Sequence, residues 1–555
     1  MSIPMWQKVL ENDPDRNFLW EGINNGFRIV PSDSKVICDV EIDNYISERE
    51  INLKTKIEEQ LKQELNEGKY HIAKQKPRII SPIFAIPKSN GSVRIIQDCS
   101  KPMGNSLNTC AKTDYKIKYQ TVEDAIKFMH PDCFMCKIDL KSAFRSVPIH
   151  PDDYMLTGIK YQFAEHHKPT YMYNTRLPQG ASFSPMIFHR LSQAIKRYTI
   201  SQGIKTVAYL DFILIADDYQ SAKYAQNWMI RLLRRLGFDI AWEKLVGPAQ
   251  IITFLGVELN SLDMSIRLPP EKVVKFKSML KDFKQRKRIS RKQLEKLCGK
   301  LSWAASVVKA GRCYLRQIFD LLGPLRKTNH KTRCNTGFYD DISWWIQTMD
   351  IFPGKRILLN KPVQTVIIDA CDEGSGFMFK GDWGYVNWQR DFPHLYPAHI
   401  NTKETISAIF AVWRWCNYFK DSKVLFITDS TTARSNIFKG TSRNPEIMPW
   451  LRHLHMLSVI YNFDILSFHI PGHCMPADDI SRLHNFGHLR IFMSTIGHHD
   501  NNSCAYFMFS LPCHTSVKSA LFIYQQVICA LDGKNCYISN IWSAKNFPER
   551  SQLYK

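Results

Sequence analysis

Two aspartates stand where aspartates are costly. Asp139 follows the apolar run CFMCKI, and Asp211 lies inside TVAYLDFILIA. A carboxylate in a β-rich apolar run costs free energy unless it is paired, hydrogen-bonded or metal-bound. Side by side, the two would hold divalent magnesium, which activates a hydroxyl and neutralises charge in phosphoryl transfer. Singly, each serves equally well as a structural strand-end residue. A second set of acids lies further along. Asp369 ends the strand TVIID, Glu404 sits in the first turn of the helical run KETISAIFAVWRW, Asp429 ends KVLFITD, and Asp478 falls in PADDISR. Four acids at strand ends and a helix start suit two magnesium ions clamping an in-line phosphodiester hydrolysis. Their separations alone leave a structural role open.

Such acids need a scaffold, and the chain has material for one. Its 555 residues correspond to three or four domains of about 150 residues. With 44% hydrophobic and 12% aromatic residues against 23% charged, wholesale disorder is excluded. The 74 Lys and Arg against 52 Asp and Glu leave a net charge of +22, which calls for a polyanionic partner, nucleic acid first. Lys8, Glu11 and Asp13 stand where a secretory signal needs an apolar run. No stretch of about 18 apolar residues reads as a membrane span. The expectation is an intracellular chain with no membrane partner, in cytoplasm or nucleus, whose 15 cysteines are reduced. Cys133-x-x-Cys136 has no second pair at zinc-ribbon distance and reads as strand packing. His498, His499, Cys504, Cys513 and His514 fit no metal module and read as surface residues.

The pattern divides the chain into five parts. Residues 1–65 read as a lead-in ending in a charged helix that stops near Gly68. Residues 66–260 alternate short β-rich runs with two helical stretches, an α+β pattern. Residues 261–358 read as helical and basic. Within 271–300, 12 Lys or Arg face 3 acids while Val273, Phe276, Leu280 and Phe283 recur at helical spacing, predicting one basic amphipathic helix. Lys284–Arg288 within it suits a nuclear address or a helix facing phosphates equally well. Residues 359–485 form a second β-rich unit, and 486–555 show no assignable period.

The order of motifs from residue 77 to 260 resembles a retroelement reverse transcriptase. Ser81-Pro82-Ile83 through Pro87-Lys88, then Gly91-Ser-Val-Arg94 and Asp98, are similar to the fingers motifs. By that resemblance Arg94 and Lys88 grip the triphosphate of the incoming nucleotide. Asp139 is the metal ligand of the first palm motif, and Phe144 is the bulky residue that excludes a ribose 2′-hydroxyl. Leu177-Pro178-Gln179-Gly180 positions template and nucleotide, and Lys244 with Phe254-Leu255-Gly256 resembles the later palm and primer-grip motifs. The wording DLKSAFRSVPIHPDD and KLCGKLSWAASVVKAGRCYLRQIFDLL is most similar to the tyrosine-recombinase (DIRS-type) retrotransposons, with the gypsy-like group the nearest rival. One departure stands out. The family's Tyr-x-Asp-Asp motif reads Tyr209-Leu210-Asp211-Phe212, and an aromatic ring binds no magnesium. Asp217 cannot substitute, because six residues of strand at about 3.3 Å each put it about 20 Å away. The expectation is a polymerase weakened or silenced at Phe212.

From IDACDEGSGF to HIPGHCMPADDISR the chain resembles the ribonuclease H domain that follows such polymerases. That resemblance makes Asp369, Glu404, Asp429 and Asp478 metal ligands and His469 the residue that helps product leave. A loop one residue shorter than usual leaves Asp479 and His473 as alternatives. The resemblance implies a right-hand α+β polymerase of fingers, palm and thumb followed by an α/β ribonuclease H-like domain. Two magnesium ions per site are implied, manganese being the other candidate, with an RNA template, a DNA primer, RNA/DNA hybrid and deoxynucleoside triphosphates as partners. A hydrolase working alone and a non-catalytic nucleic-acid-binding relic are the rival expectations. The oligomeric state is left open.

Overall fold

The computed structural model describes residues 3–484, except 31–38, 46, 89–90, 112–114, 353 and 360. The expectations for residues 486–555 and the His498–His514 cluster lie outside these residues. The chain divides into two compact units, Met1–Pro269 and Pro270–Lys555.

In the first unit the order of the main elements is helices α1 (Ile3–Val9), α2 (Arg16–Asn25) and α3 (Lys54–Asn66), strands β1 (Ile83–Pro87), β2 (Val93–Gln97) and β3 (Phe134–Ile138), helix α4 (Phe183–Ser201), strands β4 (Lys205–Tyr209) and β5 (Asp211–Ala216), helix α5 (Tyr219–Arg235) and strand β6 (Val246–Ala249). Strands β6, β3, β5 and β4 form one antiparallel sheet in that order. Its apolar alternation seats Cys136, Ile138, Phe212 and Leu214 in one core with Phe188, Leu191 and Ile195 of α4 and Met229, Leu232 and Leu233 of α5. Cys133 and Cys136 are buried free thiols, as strand packing requires. A five-stranded sheet of Val40–Glu41, Ile79–Ile80, Gly158–Tyr161, Thr170–Asn174 and Tyr70–Ile72, with the β1–β2 hairpin, forms the second lobe.

Residues 1–65 are not a separable lead-in. Trp6, Val9 and Leu10 of the first helical segment and Leu19 and Ile23 of α2 lie in the same core as α4 and α5. The indole of Trp6 donates to the Leu236 carbonyl at 3.1 Å, and Arg197 pairs with Asp13 at 2.7 Å. These helices are too short for their apolar spacing to announce a packed face. Helix α3 caps the second lobe through Ile57 and Leu61 and ends, as expected, just before Gly68 at φ +67°.

In the second unit, helices α6 (Pro270–Gln285), α7 (Arg291–Ala304) and α8 (Thr336–Ile351) precede strands β7 (Val363–Ala370), β8 (Gly374–Phe379) and β9 (Asp382–Asn387), helix α9 (Ile400–Trp415), strand β10 (Lys423–Thr428), helices α10 (Thr431–Lys439) and α11 (Met448–Ile460), strand β11 (Asp464–His469) and helix α12 (Asp478–Ser481). The single basic helix expected over 271–300 is two. Arg288–Ser290 pairs with Lys331–Arg333 instead, and Ser290 with Gln293 forms a capping box that restarts the helix. Phe276, Leu280 and Phe283 are buried as their spacing predicts.

The sheet order is β9-β8-β7-β10-β11, antiparallel on the β8–β9 side and parallel from β7 through β10 to β11. Ile406, Ile409 and Phe410 of α9 pack on Val366, Ile368 and Phe377 of the sheet. Glu404 occupies the second turn of α9 and not the first, because the helix begins at Ile400, where the His399 ring accepts from the Asn401 N–H at 3.2 Å. Among the described residues no helix is long and apolar enough to cross a membrane.

Gly376 of β8 lets α12 sit directly on the sheet. A Cβ there would lie 2.5 Å from Ser481 N and 2.7 Å from Ala477 O, both backbone atoms that cannot swing away. Gly376→Ala should therefore cost roughly 1–3 kcal/mol, the range for overpacking. Urea unfolding of the two proteins checks this, and equal midpoints would disprove the close approach.

Candidate active sites

The turn between β4 and β5 is a single residue, Leu210, in the left-handed region at φ +62°. Register places Phe212 opposite Ile138, so Asp211 and Asp139, the next residues outward, face each other across the sheet end. The sequence-predicted pair is thus brought together. Asp139 pairs with Lys244 at 2.9 Å, and Asp211 with Lys137 at 3.3 Å. Burial raises the Asp211 carboxyl above its usual range, Lys137 opposes this, and the Asp139 charge adds to it. The two lysines balance charge that a divalent cation would otherwise balance.

Pleating turns Phe212 the other way, fully buried in the core beneath the sheet. Phe144 follows Ser142, itself left-handed at φ 53°, and packs edge-on against Phe188 with ring centres 5.7 Å apart. Gly180 is fixed by a hub that the motifs did not reveal. The Gln97 N–H donates to the Gln179 carbonyl at 2.8 Å, and a Cβ on Gly180, at φ +115°, would collide with the Gln97 carbonyl oxygen. Gln97 is held in turn by Asn174 at 2.9 Å and by the Gly158 carbonyl at 3.0 Å. Gln179 Oε1 is a buried acceptor with no partner. Partial burial, then the charge of Arg94, lowers the Lys88 ammonium, with Lys244 and Lys141 contributing, so these cations form one electrostatic group.

The second unit collects the other four acids. Asp369 lies on β7, Glu404 on α9, Asp429 immediately after β10, and Asp478 at the start of α12. Burial raises Asp369 to about 7, and the charges of Asp429, Asp478 and Glu404 push the same way. Burial likewise raises Glu404 to about 7, with the Asp429 charge adding and the Ser430 hydroxyl opposing. Asp478, the residue whose charge Asp369 feels, also pairs with Arg482 at 2.9 Å.

Glu404 Oε2 and Asp429 Oδ1 are buried and have no hydrogen-bond partner. Buried acceptors left unpaired are costly, and a ring of them is the donor set a hard divalent cation takes. His469 ends β11 beside Thr428, one residue before Asp429, while the following loop passes so close that a Cβ on Gly472 would stand 3.0 Å from Asp429 Oδ2. His473 is exposed on that loop. Sequence reasoning missed buried Lys403, whose Nζ donates to the Asp372 carbonyl at 2.7 Å and ties α9 to the turn after β7. Its only signal was its place beside Glu404.

Residues 86–259 match the family model described as reverse transcriptase (RNA-dependent DNA polymerase). The chain is 26% identical over 263 residues to the Gag-Pro-Pol polyprotein of Mason-Pfizer monkey virus, covering 45% of this chain and 13% of that one. It is 27% identical over 132 residues to the Gag-Pol polyprotein of avian reticuloendotheliosis virus, 23% of this chain and 12% of that one. It thus spans 12–13% of the length of these relatives. Among solved structures, the foamy viral protease-reverse transcriptase in complex with dsDNA superposes with a TM-score of 0.52 at 14% identity, covering 84% of this chain and 97% of that one. The same type of protein in complex with RNA/DNA hybrid gives 0.50 at 13% identity, covering 84% and 63%. The chain carries a reverse transcriptase domain with retroviral Pol homologues, and its fold is the expected polymerase right hand followed by a C-terminal α/β domain.

Two outcomes follow from this geometry. Phe212→Asp would set a carboxylate in the core, losing at least about 3 kcal/mol from the missing ring alone, whereas Phe212→Leu should cost less than about 1.5 kcal/mol. Chemical denaturation distinguishes them. In the acid cluster, folded-state values near 7 against ordinary values of 3.8 and 4.5 mean that the folded chain holds protons the unfolded chain has released. Ion-free stability therefore falls as pH rises from about 4 to about 7, and a bound cation must displace those protons. The rise in Tm on adding magnesium should be larger at pH 8 than at pH 6. An equal rise at both, by calorimetry, would contradict the cluster's protonation.

Proposed function

We propose that the chain is a retroelement-derived RNA-directed DNA polymerase with ribonuclease H activity on RNA/DNA hybrids, of the DIRS-type lineage, in which DNA synthesis is the weaker activity. The observation that carries it is the contrast between the two acid centres. The second has four acids, two with unpartnered buried oxygens, whereas the first has two acids, each already paired with a lysine.

Asp139 and Asp211 would hold magnesium in the palm, and Asp369, Glu404, Asp429 and Asp478 would hold it in the C-terminal domain. Magnesium bound there supplies charge neutralisation and an activated oxygen nucleophile. Arg94 and Lys88 bind the triphosphate of a deoxynucleotide, Phe144 closes the space a 2′-hydroxyl needs, and the fixed Gln179–Gly180 peptide supports the nucleotide and template. Lys244 neutralises charge at the palm until a cation takes its place. His469, beside Asp429, assists release of the cleaved strand. Cations on α6 and α7 contact phosphates, so binding weakens steeply with salt and reads little base sequence.

A non-catalytic relic is the second reading, favoured by the burial of an aromatic ring at the position of the family's second palm carboxylate. Primer extension and hybrid cleavage, followed on one preparation with magnesium, separate the possibilities. Asp429→Asn should abolish cleavage by more than about 100-fold, the scale of losing one transition-state charge contact, and leave any extension intact. Asp211→Asn should do the reverse. Silence of the unaltered protein in both assays, with salt-dependent hybrid binding retained, would establish the relic.

A further inference from the structure

Cys371, Glu373 and His484 offer three donor atoms within 4.8 Å of one another, outside the four-acid cluster. Cys371 and Glu373 occupy the tight turn from β7 to β8, and His484 lies just beyond α12. The turn is held rigidly: Cys371 N–H donates to the Gly374 carbonyl at 2.8 Å, the Trp388 indole to the Cys371 carbonyl at 3.1 Å, and the Trp388 N–H to the Glu373 carbonyl at 2.9 Å. Cys371 Sγ already faces the α12 end, 3.2 Å from the Ser481 carbonyl. His484 Nε2 lies 3.7 Å from Glu373 Oε2. In a tetrahedral zinc site with Zn–S of about 2.3 Å and Zn–N or Zn–O of about 2.0–2.2 Å, ligand atoms stand roughly 3.4–3.6 Å apart. The half-exposed Glu373 and the partly exposed His484 can close the remaining gap by side-chain rotation, while the buried thiol stays fixed.

We propose that Cys371, Glu373 and His484 bind one zinc ion that fastens the segment after α12 to the β7–β8 turn. A thiolate, an imidazole and a single carboxylate select zinc over magnesium, and three protein ligands leave a fourth position for water. On binding, the Cys371 thiol loses its proton to solvent, His484 ligates through a neutral ring nitrogen, and no redox step is involved. The ion joins the turn after the strand that carries Asp369 to the segment after the helix that carries Asp478.

Cobalt(II) reports the site. Titrated into the full chain with excess magnesium present, it should give a thiolate-to-cobalt charge-transfer band in the near ultraviolet that saturates at one equivalent and is displaced by zinc. Cys371→Ser should abolish the band, and His484→Ala, at a partly exposed position that leaves folding undisturbed, should weaken cobalt binding by at least about tenfold. Asp429→Asn should leave the band unchanged. Zinc should raise the Tm of the unaltered protein and not that of His484→Ala. Absence of the band, its persistence in Cys371→Ser through another thiol such as exposed Cys474, an unchanged affinity in His484→Ala, or its loss in Asp429→Asn would each overturn the site.

Discussion

Carboxylates crowded in partly desolvated surroundings repel one another, and much of the architecture serves to hold them together nonetheless. In the C-terminal sheet the price is visible as Asp369 and Glu404 displaced to about 7, chiefly by burial. Strand β7, helix α9, the end of β10 and helix α12 each deliver one acid, so each element must be held in place against the repulsion. Packing of α9 on the sheet and of α12 against Gly376 supplies the force that opposes it. In the palm the same problem is smaller and is met differently, by lysines placed against Asp139 and Asp211.

Much of this arrangement was legible from residues alone, because acids at the ends of apolar strands are conspicuous. Asp139, Asp211, Asp369 and Asp429 announced themselves in that way, and the structure pairs the first two and clusters the last two with Glu404 and Asp478. Spacing alone left Asp478 and Asp479 as alternatives, since they are neighbours on one short helix; in space the charge of Asp478 acts on Asp369. Gln97 escaped notice because a buried amide that organises a neighbouring loop has no periodic signature. The split of the basic helical segment was hidden because Ser290 and Gln293 read equally well as mid-helix polar residues until Arg288–Ser290 is paired across to Lys331–Arg333.

Surface cations in both units pair with acids, as Lys62 does with Glu165 and Lys205 with Asp217 in the first. In the second, Lys277, Arg286, Arg291 and Arg316 each pair with an acid at the surface, so these cations are only partly available to a polyanion. Such exposed pairs contribute little to stability and break readily when a phosphate competes. In the first, Arg145 is almost fully buried, pairs with Glu64 at 2.7 Å and lies 4.6 Å from the centre of the Tyr70 ring. It is a structural cation that joins α3 to the loop carrying Phe144, not part of a binding surface.

The stitching of α1 and α2 into the palm core has a consequence for how the chain acquires its structure. Trp6 finds its carbonyl partner at Leu236, and Asp13 finds Arg197. Contacts that span so much of the chain tie folding to late-arriving sequence, because loop closure must precede the reward. During synthesis the first helices must wait, apolar faces uncovered, until α4 and α5 have left the ribosome. The core of the first unit therefore closes only when α4 and α5 are present, and a fragment beginning at the first recognisable motif would leave part of that core open to water.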